Sequence, residues 1–130
     1  MNNNKYKVRR ATKIANLAYT WCENRFGHPL KTEMCEFKVS QDKRVKHMMG
    51  EYMDRVMKVY VFNCSSYADI IKTVIHEYTH YLQMPKLSDN SKYYKLDEKY
   101  GYHDNPYEIE ARQAEDKYYK SCRGFVYSKL

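Results

Sequence analysis

No uninterrupted apolar segment of this chain is longer than a few residues, and the basic start MNNNKYKVRR is not followed by an apolar stretch. A membrane span and a secretory signal are therefore not expected, and the cytosol is the expected location. Cysteine is sparse and scattered: Cys22, Cys35, Cys64 and Cys122 form no CxxC pair, which argues against a disulfide framework or a four-thiolate zinc site and for free thiols. Internal repeats and low-complexity segments are also lacking. The basic residues, 23 Lys and Arg against 16 Asp and Glu for a net charge of +7, are spread along the chain rather than gathered in one tract. That balance permits attraction to nucleic acid or to acidic proteins without establishing either.

What remains is the composition of a soluble globular protein, 43% hydrophobic and 30% charged, with 15 tyrosines supplying most of the aromatic mass. One domain spanning residues 1–130 is expected, long enough to bury roughly two-thirds of its unfolded surface in a single core. A monomer is expected.

Periodicity places the elements. In residues 6–25 the positions Ala11, Ile14, Ala15, Leu17, Ala18, Trp21 and Cys22 recur at spacings of three and four, an amphipathic helix that Gly27 and Pro29 end. CEFKVSQ alternates apolar Cys35, Phe37 and Val39 with polar neighbours, and MMGEYM and RVMKVYVF read as two further strands, the last the most apolar. Together they predict a small three-stranded, mainly antiparallel sheet. Ser66 and Asp69 stand at capping-box spacing before a long helix marked by Ile70, Ile71, Val74, Ile75, Tyr78 and Leu82 and closed by Pro85. Residues 86–104 show no clear period and read as a long connection. Asn105 and Pro106 then open a last helix to about Cys122. The fold class is α+β.

Inside the long helix stands HEYTH, residues 76–80. His76 and His80, one turn apart, share a face, so their ring nitrogens can meet on one ion, at about 2.0–2.1 Å for zinc. Glu77 lies about a hundred degrees around the wheel, where its carboxylate reaches a water beside the ion and acts as a base rather than a ligand. The plainer reading is a pair of hydrogen-bonded core histidines with no metal. The position of the pattern, mid-helix after a strand and a capping box, favours the metal.

A catalytic zinc needs a third protein ligand, and Glu110, Glu108 and His103 are the candidates. Tyr107, Glu110, Ala111, Ala114, Tyr118 and Cys122 form a stripe expected to pack inward, in which Glu110 alone is charged; a buried lone carboxylate calls for a cation. Glu108 shares the other side with Arg112 and Glu115, where pairing with Arg112 explains it without metal. Glu110 is thus favoured, with Glu108 and His103 open.

HEYTH followed some thirty residues later by NPYEIEA resembles the zincin metallopeptidases, in the gluzincin pattern where a later glutamate completes the site. The E-x-E-A form is similar to small ImmA/IrrE-like phage or bacterial metallopeptidase domains, whose ligand would fall on Glu110. SprT-like proteases resemble the chain in size, basic charge and strand-then-helix order, but they use a third histidine. The resemblance covers about residues 55–115. It implies a minimal zincin-like domain, with an N-terminal helix and small sheet above the HExxH helix, a C-terminal helix carrying the third ligand, and an extended peptide bound along an edge strand within residues 57–62. Neither a metzincin extension after His80 nor a thermolysin-like aspartate four residues after Glu110 is present, so an acid orienting a histidine must come from elsewhere; Asp69, Asp104 and Asp116 are candidates. Tyr100, Tyr102 and His103 are candidate oxyanion donors.

Two functions follow as expectations. The first is a zinc peptidase acting on a protein or peptide, with His76, His80 and Glu110 on Zn2+ and Glu77 as general base. The second is a non-proteolytic zinc-binding module, regulatory or associated with nucleic acid, in which a closed four-ligand site is structural. A SprT-like protease acting on DNA-bound proteins combines them.

Overall fold

The computed structural model describes residues 4–85 and 90–130. Its elements are α1 (Asn4–Phe26), β1 (Glu36–Ser40), β2 (Gly50–Met53), β3 (Val56–Tyr60), a short 3-10 turn (Val61–Asn63), α2 (Tyr67–Gln83), α3 (Asn90–Tyr100) and α4 (Pro106–Lys129). The architecture is α+β, as the periodicity predicts.

α1 buries Ala11, Ile14, Ala15, Ala18 and Cys22, the stripe read from the sequence. It stops at Gly27, whose φ of 71° suits glycine and whose N–H closes on the Glu23 carbonyl at 2.9 Å. α2 is capped by Ser66, whose Oγ accepts the Asp69 N–H at 3.1 Å, while the Asp69 carboxylate accepts the Ser65 N–H at 2.9 Å. This helix is buried on nearly every side: Ile71, Val74, Ile75 and Tyr78 pack with Ile14, Ala18, Met57, Val59 and Val126 in one core. Polar residues in such a helix need partners. All four cysteines are buried free thiols.

The sheet departs from the mainly antiparallel expectation. Its order is β1-β3-β2, with β1 parallel and β2 antiparallel to β3. The two-residue turn Asp54–Arg55 forces β2 and β3 into an antiparallel hairpin, whereas residues 41–49 are long enough to carry the chain across, so β1 lies on the far side of β3. β3 is therefore the central strand and not an edge. Its backbone pairs on both sides, and the expectation of peptide binding along residues 57–62 is corrected: the edge on that side of the sheet belongs to β2.

Two helices differ from their expected spans. The 86–104 connection contains α3, in which no residue is buried, so it carries no core stripe for periodicity to detect; residues 86–89 lie outside the described residues. α4 runs past Cys122 to Lys129 because Val126, four residues on, continues the buried stripe. Among the described residues, no helix is long and apolar enough to cross a membrane.

The Asp54–Arg55 turn has positive φ at both residues, 53° and 65°, without glycine. A long side chain in the left-handed region costs about 1 kcal/mol. Arg55→Gly should therefore raise the unfolding free energy in urea by about 0.5–1 kcal/mol. An unchanged or lowered midpoint would show that the Arg55–Glu33 ion pair, at 3.5 Å, outweighs the backbone strain.

Candidate metal centre

α2 presents His76 and His80 one turn apart, their rings edge to face with centroids 4.9 Å apart. The first turn of α4 brings Glu108 against both. His76 Nε2 lies 2.9 Å from Glu108 Oε1, and His80 Nε2 lies 3.0 Å from Glu108 Oε2. One ligand atom from each of the three residues falls within 4.8 Å of the others, a group able to hold a metal ion.

The third member is thus Glu108, and the preference for Glu110 is corrected. Glu108 is 3% exposed, whereas Glu110 faces solvent. The inward face of α4 runs through Glu108, Ala111, Cys122 and Val126, with Glu115 half-buried beside them. Glu110 stands two residues from Glu108, some 200° around the helix. The polar pair Glu108 and Glu115 looks like a solvated face in the sequence but is the face that meets the histidines. Arg112, its expected partner, instead donates to the His103 carbonyl. His103 is exposed and outside the cluster.

The partners around the cluster fix the tautomers. Glu115 Oε2 lies 2.6 Å from His76 Nδ1. An ionised carboxylate only accepts, so that nitrogen carries hydrogen. Gln83 Nε2 donates to the Tyr107 carbonyl at 3.1 Å and to Glu110 Oε1 at 2.6 Å, which turns Gln83 Oε1 toward His80 Nδ1 at 2.8 Å. That nitrogen carries hydrogen too. In their neutral forms both rings then aim an Nε2 lone pair at a buried carboxylate, acceptor against acceptor. Only added positive charge, from protons or from a metal ion, makes the arrangement favourable.

The donor set fits a metal. Two imidazoles, each held at the other nitrogen by an acceptor, plus a carboxylate is a common zinc set with its orienting shell. The 2.9 and 3.0 Å separations are slightly shorter than the edge of about 3.3 Å expected in a tetrahedron of 2.0–2.1 Å bonds. Without metal, protons fill the role. Burial alone would lower His76, but its hydrogen bonds to Glu108 and Glu115 overcome this and push it up to about 10. Burial likewise opposes ionisation of Glu108, yet hydrogen bonds from His76, His80 and Tyr93 hold it well below the usual carboxylate range. Tyr93 Oη donates to Glu108 Oε2 at 2.5 Å.

Glu77 is buried but stands outside the three-residue group. Burial raises its carboxyl to about 7 against the pull of His76 and His80. It lines two adjoining recesses, a cleft of about 480 Å³ shared with His76, His80 and Glu108 and another of about 390 Å³ shared with Glu115. β2 closes over it at Gly50. A Cβ there would stand 2.5 Å from Thr73 Cγ2 and 3.2 Å from Glu77 Cγ, so only glycine permits this approach.

Of the three tyrosine and histidine candidates for an oxyanion donor, Tyr102 lines both recesses, and Tyr100 and His103 line neither. Asp69 serves the α2 cap, and Asp104 and Asp116 are exposed; the acid that orients a histidine is Glu115. Gln83, Tyr93, Gly50 and His47, which lines both recesses, were not indicated by periodicity. The i,i+7 spacing of Glu108 and Glu115 was the signal that could have found the α4 pair.

Compared with protein families, curated proteins and solved structures, the chain matches none.

Two outcomes follow. Gly50→Ala should cost about 1–3 kcal/mol in urea unfolding, since β2 must move off α2; a neutral effect would mean that the strand does not pack on Thr73 and Glu77. In chelator, the raised values of His76 and Glu77 contribute stability that is fully present below their ordinary 6.5 and 4.5 and is lost as pH rises through about 10 and about 7. The thermal midpoint of metal-free protein should fall between pH 5 and pH 10, as calorimetry can record. A midpoint rising over that window would contradict the proton-filled cluster.

Proposed function

We propose that the protein is a zinc-dependent peptidase of zincin-like type, with the metal held by His76, His80 and Glu108. The observation that carries the reading is the convergence of two imidazoles, each oriented by an acceptor at Nδ1, on one buried carboxylate at the side of an open cleft. Zinc in such a site would act as a Lewis acid on a carbonyl oxygen and on an attacking water. Glu77, in the same cleft, would take a proton from the attacking water and deliver it to the leaving amine. A carboxyl within reach of both the water and the leaving amine suits both halves of that transfer. Tyr102, which lines both recesses, would donate to the developing oxyanion.

The outer edge of β2, which pairs with no other strand among the described residues, would offer an extended peptide its backbone groups beside the site. A purely structural zinc would need a closed fourth position. The four cysteines sit in the core as free thiols, and none belongs to the three-residue group. The net charge of +7 leaves contact with nucleic acid as a separate property to be measured by salt-dependent DNA binding.

Purified protein should carry one zinc per chain. Glu77→Gln should keep the zinc and lose about 10²–10⁴-fold in peptide hydrolysis. Glu108→Gln should weaken zinc binding by more than the roughly 10–100-fold expected of an outer partner, and Glu110→Gln by no more than that range. Full hydrolysis by the Glu77 variant would remove its assigned role. Greater zinc loss from the Glu110 variant than from the Glu108 variant would restore the ligand set read from sequence.

A further inference from the structure

α3 contributes no buried residue to the core, yet Asn90, Tyr93, Tyr94 and Asp97 all line the cleft beside the candidate metal centre. Their spacings of three, four and seven put them on one face. Tyr93 fastens that face: its hydroxyl donates to Glu108, its ring packs edge-on to His80 at 5.9 Å, and its carbonyl accepts from Asn105 Nδ2 at 3.2 Å. Asp97 lies one turn further along.

Charge in the cleft runs against charge in the chain. Overall, Lys and Arg outnumber Asp and Glu by 23 to 16. Among the described residues that line the cleft, the carboxylates Glu51, Glu77, Asp97 and Glu108 meet no lysine or arginine. Three of the four are accounted for. Glu108 serves the histidines, Glu77 faces the reacting centre, and Glu51 accepts the Tyr60 hydroxyl at 2.6 Å. Asp97 is different: the residue is half-buried in the cleft wall, and among the described residues its buried Oδ1 has no hydrogen-bond partner. A carboxylate oxygen withdrawn from water without a donor is unfavourable, and a cationic donor is its natural complement.

The surrounding walls suit an aliphatic stem. Met53, 47% exposed on β2, and Tyr94, 56% exposed on α3, give flexible apolar surface and an aromatic ring in the same cleft, and the buried Met84 at the end of α2 lines it as well. We propose that this part of the cleft, between α3 and β2, is a subsite for a lysine or arginine side chain of the substrate. The methylenes lie along Met53, Met84 and Tyr94, and the cation is received by Asp97. The proposal rests on the peptidase reading for the substrate being a peptide, and adds which side chain the cleft selects.

The test uses the zinc-loaded full chain and octapeptides that differ only in carrying lysine, norleucine or glutamate on either side of the cleaved bond. Norleucine keeps the stem and removes the charge. KM for the lysine peptide should be lower than for norleucine by about tenfold or more, with glutamate poorest. Asp97→Asn should bring the lysine-to-norleucine ratio close to one, and Asp97→Lys should turn the preference toward glutamate. Affinities of the same peptides for zinc-loaded Glu77→Gln, read by fluorescence anisotropy, separate the two ways of failing. The lysine ranking without any hydrolysis by the unaltered chain would overturn the peptidase reading and uphold the subsite. Equal affinities for lysine and norleucine, or a lysine preference that survives both Asp97 variants, would overturn the subsite.

Discussion

Two imidazole lone pairs aimed at one buried carboxylate are the constraint around which this protein is organised. His76, His80 and Glu108 cannot occupy their positions as three neutral or anionic acceptors, because each Nδ1 already donates, to Glu115 and to Gln83. Positive charge among them is therefore a condition of the packing of α2 against α4. A metal ion supplies it, or protons do, so the site is linked to pH in opposite senses with and without metal: protons hold the empty cluster, and the same protons compete with the ion.

The rest of the fold serves that convergence. α2 is the most enclosed helix, and its burial fixes the two rings. Ala111, fully buried on α4, leaves room for the two helices to approach. The sheet adds the opposite wall: Gly50 lets β2 lie directly on Thr73 and Glu77, which places a strand edge beside the carboxyl that would handle the proton. α3 contributes to the cleft rather than to the core, an expenditure of chain that makes sense if the cleft binds something. Glu110, displaced from the ligand role, still acts on the site, because it helps turn the Gln83 amide and so fixes which nitrogen His80 offers.

How much of this was legible in the sequence depended on whether burial and polarity agreed. Ala11 to Cys22, Ser66 to Leu82 and the Asn105–Pro106 start were readable because apolar residues face the core and capping groups face the ends. The histidine pair was readable from its spacing alone. Glu108 reads as outward because α4 turns two of its acids, Glu108 and Glu115, inward while Glu110 and Asp116 face solvent: a wheel drawn on hydrophobicity places the first two outside, and their i,i+7 spacing opposite a histidine pair is the sign that reverses it. α3 was missed because it buries no residue, and the sheet order because strand pattern records burial but not which neighbour a strand chooses. Gly50 and Gln83 act through contacts distant in sequence, so neither leaves a periodic trace.

The central claim is best tested by X-ray absorption at the zinc edge on protein reconstituted with one equivalent of metal. The account predicts two imidazole nitrogens at about 2.0–2.1 Å, with the remaining scatterers oxygen. Sulfur at about 2.3 Å, or a shell without paired imidazoles, would contradict it.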